Sequence, residues 1–142
     1  MIKKMKEFDI NNSLIPELIF SALIRVENEI FMVANMNKFS VLLENNKGDK
    51  RVIYNNKDWS YILLNDIWLS KFGLSESSLI RNNRTQTDWK IRKTNSRLFY
   101  VTIERDFSLG ENPTIPLNSV HMLQLWYQLL SDTYLSIDNV FN

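Results

Sequence analysis

Between residues 15 and 64 the apolar positions come in short β-branched and aromatic runs parted by polar clusters, the signature of strands joined by tight turns. The pattern predicts five strands, near Leu18–Val26, Glu29–Ala34, Lys38–Leu43, Arg51–Tyr54 and Trp59–Leu64. Glu27-Asn28 has the length of a two-residue hairpin connection, and Asn35-Met36-Asn37 offers asparagine for left-handed backbone. Asn45-Asn46-Lys47-Gly48-Asp49 reads as a flexible polar loop. Five short strands so joined predict a small SH3-like or otherwise curled β barrel over residues 10–64.

The period then changes. Asn65 or Asp66 can cap a short connecting helix over 65–74, with Trp68, Leu69 and Phe72 on its apolar face and Gly73 placed to close it. A β hairpin region over 77–106 follows, with strands at Asp88–Lys93 and Arg97–Asp106 around Thr94-Asn95-Ser96. Alternation puts Phe99, Val101 and Ile103 on one side of the second strand. It puts Trp89 and Ile91 on one side of the first, and turns Lys90 and Arg92 the other way, toward solvent. Residues 106–116, with Gly110, Pro113 and Pro116, read as a loop leading into a C-terminal helix over 117–131, where Pro116 suits the first turn. On that helix His121, Gln124, Gln128 and Ser131 form one narrow polar stripe and apolar side chains cover the rest. Such a helix is either central to the fold or part of an oligomer interface. The expected fold class is α+β, mostly β, in a single domain over 1–142 around one core.

Composition narrows the class. With 44% hydrophobic residues and four tryptophans in 142 residues the chain has the material to fold unaided. The absence of cysteine removes disulfides, thiolate nucleophiles and Cys-ligated zinc, and fits a cytoplasmic location. Met1–Glu7 is basic but no apolar stretch follows it. No run approaches the roughly 18–20 apolar residues that cross a bilayer, so neither export nor a membrane partner is expected.

Charge is unevenly spread. Residues 81–105 carry Arg81, Arg84, Lys90, Arg92, Lys93, Arg97 and Arg105 against Asp88 and Glu104, and everything beyond is acidic, through Asp106, Glu111, Asp132 and Asp138. The net charge of +1 thus conceals a dipolar chain that can steer an anionic partner to one face. The basic residues interleave with Trp89, Phe99 and Tyr100, and arginine forks beside aromatic faces hold phosphates while bases stack. The plain alternative is a solvated strand face with its aromatics in the core. The candidate ligand-binding residues are Arg81, Arg84, Lys90, Arg92, Lys93, Arg97, Tyr100 and Arg105.

Catalytic constellations are weak by comparison. Ser119 and His121, two apart on a helix, point about 200° from each other and cannot form a relay. His121, the sole histidine, is best read as a helix-face residue bonded to backbone or Gln124. One histidine and no cysteine leave only all-carboxylate metal sites. Glu27 with Glu29, or Glu104 with Asp106 opposite Asp88-Trp89-Lys90, echo a metal-dependent nuclease or phosphodiesterase. Glycine stands only at 48, 73 and 110, so no phosphate-cradling loop of the nucleotide-binding types can be built and no cofactor is expected. Trp68–Leu79 could also pass for a helix-turn-helix with the later hairpin as a wing.

Two segments carry a resemblance. Ile62-Leu63-Leu64-Asn65-Asp66-Ile67-Trp68-Leu69-Ser70-Lys71-Phe72-Gly73-Leu74 resembles an I-P-L-T-x-x-W-L-x-K-F-G-F stretch, and Val120-His121-Met122-Leu123-Gln124-Leu125-Trp126-Tyr127 resembles a V-H-x-L-Q-x-x-Y stretch. Both stretches belong to a family of small proteins from Bacteroides-type gut bacteria, their phages and mobile elements. The chain departs from it at Leu63 (usually Pro), Asn65 (usually Thr) and Ser131-Asp132-Thr133 (usually a turn ending Thr-Gly). The resemblance implies a phage or mobile-element setting and transfers no catalytic residue, since Trp68, Phe72, Leu123 and Tyr127 look like packing positions.

The expectation is therefore a non-catalytic binding protein. Its basic-aromatic hairpin would engage an anionic partner: an acidic host protein, a nucleic acid or a phosphate-bearing, nucleotide-like small molecule. Pairing of the acidic C-terminal region with the hairpin of a second copy would give a symmetric homodimer.

Overall fold

The computed structural model describes residues 18–103 and 113–141. Two four-stranded antiparallel sheets, each in sequential strand order, are followed by the main helix. The first sheet comprises β1 (Leu23–Val26), β2 (Glu29–Met36), β3 (Val41–Glu44) and β4 (Lys50–Ile53). Glu27 and Asn28 both take positive φ (50° and 67°), as a two-residue turn matched to strand twist requires. The next turn falls later than expected. β2 continues through Asn35 after a bulge, and Asn37 Oδ1 makes the turn by accepting from the Phe39 and Ser40 N–H groups. The Asn45–Asp49 loop is pinned rather than flexible. Asn45 is buried, its Oδ1 accepts from Lys47 and Asp49 N–H, and its Nδ2 donates to Glu29 and Asp49.

The fifth strand does not form and the barrel is not closed. A short 3-10 turn (Asn56–Asp58) follows β4, and residues 59–64 then run extended, with Ile62 and Leu64 buried and Tyr61 and Leu63 exposed. The alternation expected of a strand is present. Its hydrogen bonds, however, are divided between two neighbours, Ser60 bridging to Arg25 of β1 and Leu63 to Ser119. The segment stitches the first sheet to the second half instead of extending a ladder.

Helix α1 (Asp66–Lys71) opens on Asn65, whose side chain accepts from Trp68 N–H. It closes in a Schellman arrangement: Gly73 N–H donates to Ser70 O and Leu74 N–H to Leu69 O, with Gly73 at φ 77°. A Cβ at Gly73 would meet nothing within 4 Å. Gly73→Ala is therefore expected to cost only the left-handed backbone strain, about 1–2 kcal/mol, seen as a lower urea midpoint with unchanged slope. After α1 the chain turns into β5 (Leu79–Asn82), so the helix-turn-helix reading is overturned.

The second sheet contains β5, β6 (Thr87–Lys93), β7 (Phe99–Ile103) and β8 (Thr114–Leu117). The last was expected as a loop. Pro116 lies in it, opposite Tyr100, and not in a helix, because β8 is an edge strand where a missing N–H disrupts no second ladder. Helix α2 (Val120–Ser131) accordingly begins three residues later than predicted, with Ser119 as N-cap accepting from Met122 N–H. A short α3 (Asp138–Phe141) follows.

Two hydrophobic clusters replace the single core expected. One fills the curl of the first sheet, with Ile24, Phe31, Val33, Val41, Leu43 and Ile53 among its members. The other lies where Ile80, Ile91, Phe99 and Val101 of the second sheet meet Trp68, Leu69, Val120 and Leu123 of the helices. Strand alternation joins them: Ile24 faces the first cluster while Leu23, with Met32 beside it, faces the second. Helix α2 touches β1 of one sheet and β5 and β8 of the other, so it is central to the fold. Its polar stripe points inward, with His121, Gln124 and Ser131 all buried, while Leu129 is exposed. Among the described residues no helix is long and apolar enough to cross a membrane.

Candidate functional site

The outer face of the second sheet is set by register. The inner face takes Ile80, Trp89, Ile91, Phe99, Val101, Ile115 and Leu117. By register the outer face holds three cross-strand rows: Arg81 with Asp88; Leu79, Lys90, Thr102 and Thr114, of which Thr102 is buried; and Arg92, Tyr100 and Pro116. Lys90, Arg92 and Tyr100 are thus immediate neighbours on one surface, each half-buried. Beside them Tyr100, Leu98, Thr94, Thr114, Pro116 and Asn118 line a depression of about 480 Å³. Leu98, half exposed, is held in place by the β6–β7 turn, where Thr94 and Leu98 bond backbone to backbone.

The remaining predicted cations do not gather there. The Arg81 guanidinium donates to both carboxylate oxygens of Asp88 at 3.2 Å and to Gln86. Lys93 points to the other side, where its ammonium donates to Asp66 of α1 at 3.1 Å and lies 5.5 Å from the Phe99 ring centre. Arg84 sits in the β5–β6 turn, which Asn82 Oδ1 shapes by accepting from Arg84 and Thr85 N–H. Arg97 stands in the β6–β7 turn at φ 64°. These two turns are at opposite ends of the seven-residue β6, about 20 Å apart at strand rise. Arg105 lies outside the described residues. Of the eight candidates, Lys90, Arg92 and Tyr100 form one patch, Arg97 flanks it through the turn next to Leu98, Arg81 and Lys93 are committed to carboxylates, and Arg84 is remote.

The carboxylate alternatives fare differently. Glu104 and Asp106 lie outside the described residues. Glu27 and Glu29 turn to separate partners, Glu27 to Arg51 and Glu29 to Asn45. No cluster of three potential metal ligands occurs among the described residues. His121 packs edge-on against the Trp59 ring at 5.1 Å, and burial pushes its imidazole from 6.5 down to about 4. Of the two partners expected for His121, backbone or Gln124, the Gln124 amide bonds the backbone of Leu23 in β1 and of Ser21 in the turn before it.

Two features escaped the sequence reading. The apolar half of the depression comes from Leu98 and Pro116, and Pro116 is legible as a surface residue only once β8 is seen as an edge. A second concavity, about 670 Å³, lies in the first sheet between β4, the 3-10 turn and the end of β1, and includes Tyr54 and Trp59. No local sequence signal marks it, since it arises from the curl of the whole sheet. Comparison with protein-family models, with curated proteins and with solved structures finds no match to this chain.

Proposed function

We propose that this is a non-catalytic, cytoplasmic binding protein of phage or mobile-element origin, which holds a phosphate-bearing partner on the outer face of its second sheet. The observation that carries the reading is the row Arg92, Tyr100 and Pro116, with Lys90 adjacent and the Leu98 depression alongside. Two cations supply charge, and Tyr100 with its apolar surroundings supplies a surface on which a base can stack, the combination used for single-stranded nucleic acid. A free nucleotide is less well served, because Arg81 is held by Asp88 and Arg84 lies in the turn at the far end of β6, so neither joins Arg92 on one phosphate. An acidic protein would use the charges but not the aromatic ring. The first sheet, with its 3-10 turn and the return of Ser60 to β1, supports an SH3-like half-barrel as the scaffold beside this site.

A fluorescein-labelled oligothymidylate tests the reading by anisotropy across a salt series. Lys90→Glu with Arg92→Glu is expected to weaken binding at least about tenfold and, from two lost phosphate contacts on a single strand, to lower the log–log salt slope by about 1.4. Arg84→Glu is expected to change affinity little. Equal affinity for the wild type and the double variant would remove this face as the site.

A further inference from the structure

We infer that the gap in the first sheet is a strand-addition site for an extended acidic peptide of another protein, independent of the face described above. The cleft of about 670 Å³ is lined by the consecutive residues Arg51, Val52, Ile53 and Tyr54 on one side and Arg25, Val26 and Glu27 on the other. Consecutive residues of a strand point to opposite faces, so a cleft that touches all of them meets the strand along its backbone edge. β4 is the terminal strand of its sheet, the bridge that would have closed the barrel reaches β1 through Ser60, and among the described residues no strand pairs with the outer edge of β4.

The hydrogen-bond phase of β4 identifies the groups on offer. Asn45 N–H donates to Asp49 O at the hairpin end, and Asn37 N–H to Ser40 O at the far end of β3. Both closures set the same alternation, in which Arg51 pairs through hydrogen bonds with Leu43 and Ile53 with Val41. The N–H and C=O of Lys50 and Val52 therefore point away from β3. Val52 lines the cleft and is 44% exposed, as a residue awaiting a neighbouring strand would be.

Charge selects the occupant. The walls carry Arg25, Arg51 and Lys57 against Glu27 and Asp58. Glu27 is paired with Arg51 at 2.9 Å, while the Asp58 carboxylate accepts from Tyr54 and Asn55 N–H and keeps its charge, so the lining carries a single net positive charge. The Arg51–Glu27 pair spans the mouth from β4 to the β1–β2 turn, with Glu27 78% exposed, so it is cheap to part when a peptide enters. Lys50 on β4 adds to this positive balance beside Lys57 on the 3-10 turn, and Arg51 becomes available to a peptide carboxylate once Glu27 parts from it. The edge therefore repels a second copy of itself, and the occupant is an acidic partner segment with apolar residues at alternate positions. The exposed Tyr54 and the half-buried Trp59 flank its path.

The probe is labelled acetyl-Glu-Val-Glu-Val-Glu-amide, titrated into the full chain by anisotropy, with amide NMR to locate it. It is expected to bind with shifts at Lys50 and Val52, whereas the Lys-Val-Lys-Val-Lys counterpart does not. Val52→Pro removes the outward N–H at an edge position that tolerates proline, and is expected to weaken binding about tenfold while circular dichroism and urea midpoint stay near wild type. Alternate N-methylation of the peptide is expected to do the same to the unaltered protein, so the idea stands testable even if Val52→Pro fails to fold. Failure of the Glu-Val peptide to bind, or binding that N-methylation leaves intact, overturns the proposal. Shifts confined to Lys90, Arg92 and Tyr100 would also overturn it while leaving the other site untouched.

Discussion

Replacing Gln124 with methionine is expected to destabilise the protein by about 2–4 kcal/mol, although the two side chains are close in volume. Gln124 is 2% exposed and closes a pair of 2.7 Å bonds over a sequence distance of about a hundred residues: its Oε1 accepts from Leu23 N–H, and its Nε2 donates to Ser21 O. Leu23 has no solvent exposure, so its N–H has no water to turn to when the amide is gone. Such an orphaned backbone donor loses its full desolvation compensation rather than the modest net value of an exchanged hydrogen bond. Urea unfolding gives the total. Native-state hydrogen exchange gives the location, with Leu23 expected to lose protection well before the interior of the second sheet. A change under about 0.5 kcal/mol would mean that the junction between β1 and α2 does not depend on this amide.

Acidification should act through His121. In the unfolded chain this imidazole titrates at its ordinary 6.5, whereas burial lowers it to about 4 in the folded protein. The unfolded state therefore takes up a proton first as pH falls. Stability is fully present above 6.5, declines between 6.5 and about 4, and is lower by about 3 kcal/mol once both states are protonated. Carboxylates titrate over the lower part of this window too, so the comparison is with His121→Phe, which keeps an aromatic ring beside Trp59 and cannot take a proton. The difference between the two stability–pH curves should grow from pH 6.5 toward 4 and then level off. Parallel curves would show that His121 is protonated as readily in the fold as outside it.

These two residues also show where the sequence was legible and where it was not. Local chemistry could be read: Asn65 and Gly73 bracket α1 because a side-chain cap and a left-handed residue are requirements of single positions. Phe99, Val101 and Ile103 are all buried because strand alternation leaves them one face. Elements whose identity depends on a distant neighbour were missed. Leu79–Asn82 has one buried residue in four, and Thr114–Leu117 contains a proline, so each becomes a strand only beside β6 or β7. Trp59–Leu64 has the right alternation, yet its hydrogen-bond partners are a strand on one side and a helix cap on the other. Likewise the polar stripe on α2 was visible, but its inward direction follows from the backbone of Ser21 and Leu23. The same distinction divides the basic cluster. Of the six described cations of that cluster, two form a patch with a tyrosine, because alternation, opposite turns and nearby Asp66 and Asp88 disperse the others.

Whether that patch is a binding surface is decided most directly by an amide NMR titration of the intact protein with oligothymidylate. Our reading predicts progressive shifts at Lys90, Arg92, Leu98 and Tyr100, abolished by high salt and absent from the Lys90→Glu, Arg92→Glu double variant. A spectrum that does not move at those four residues, or that moves only around Lys50–Ser60, would contradict it.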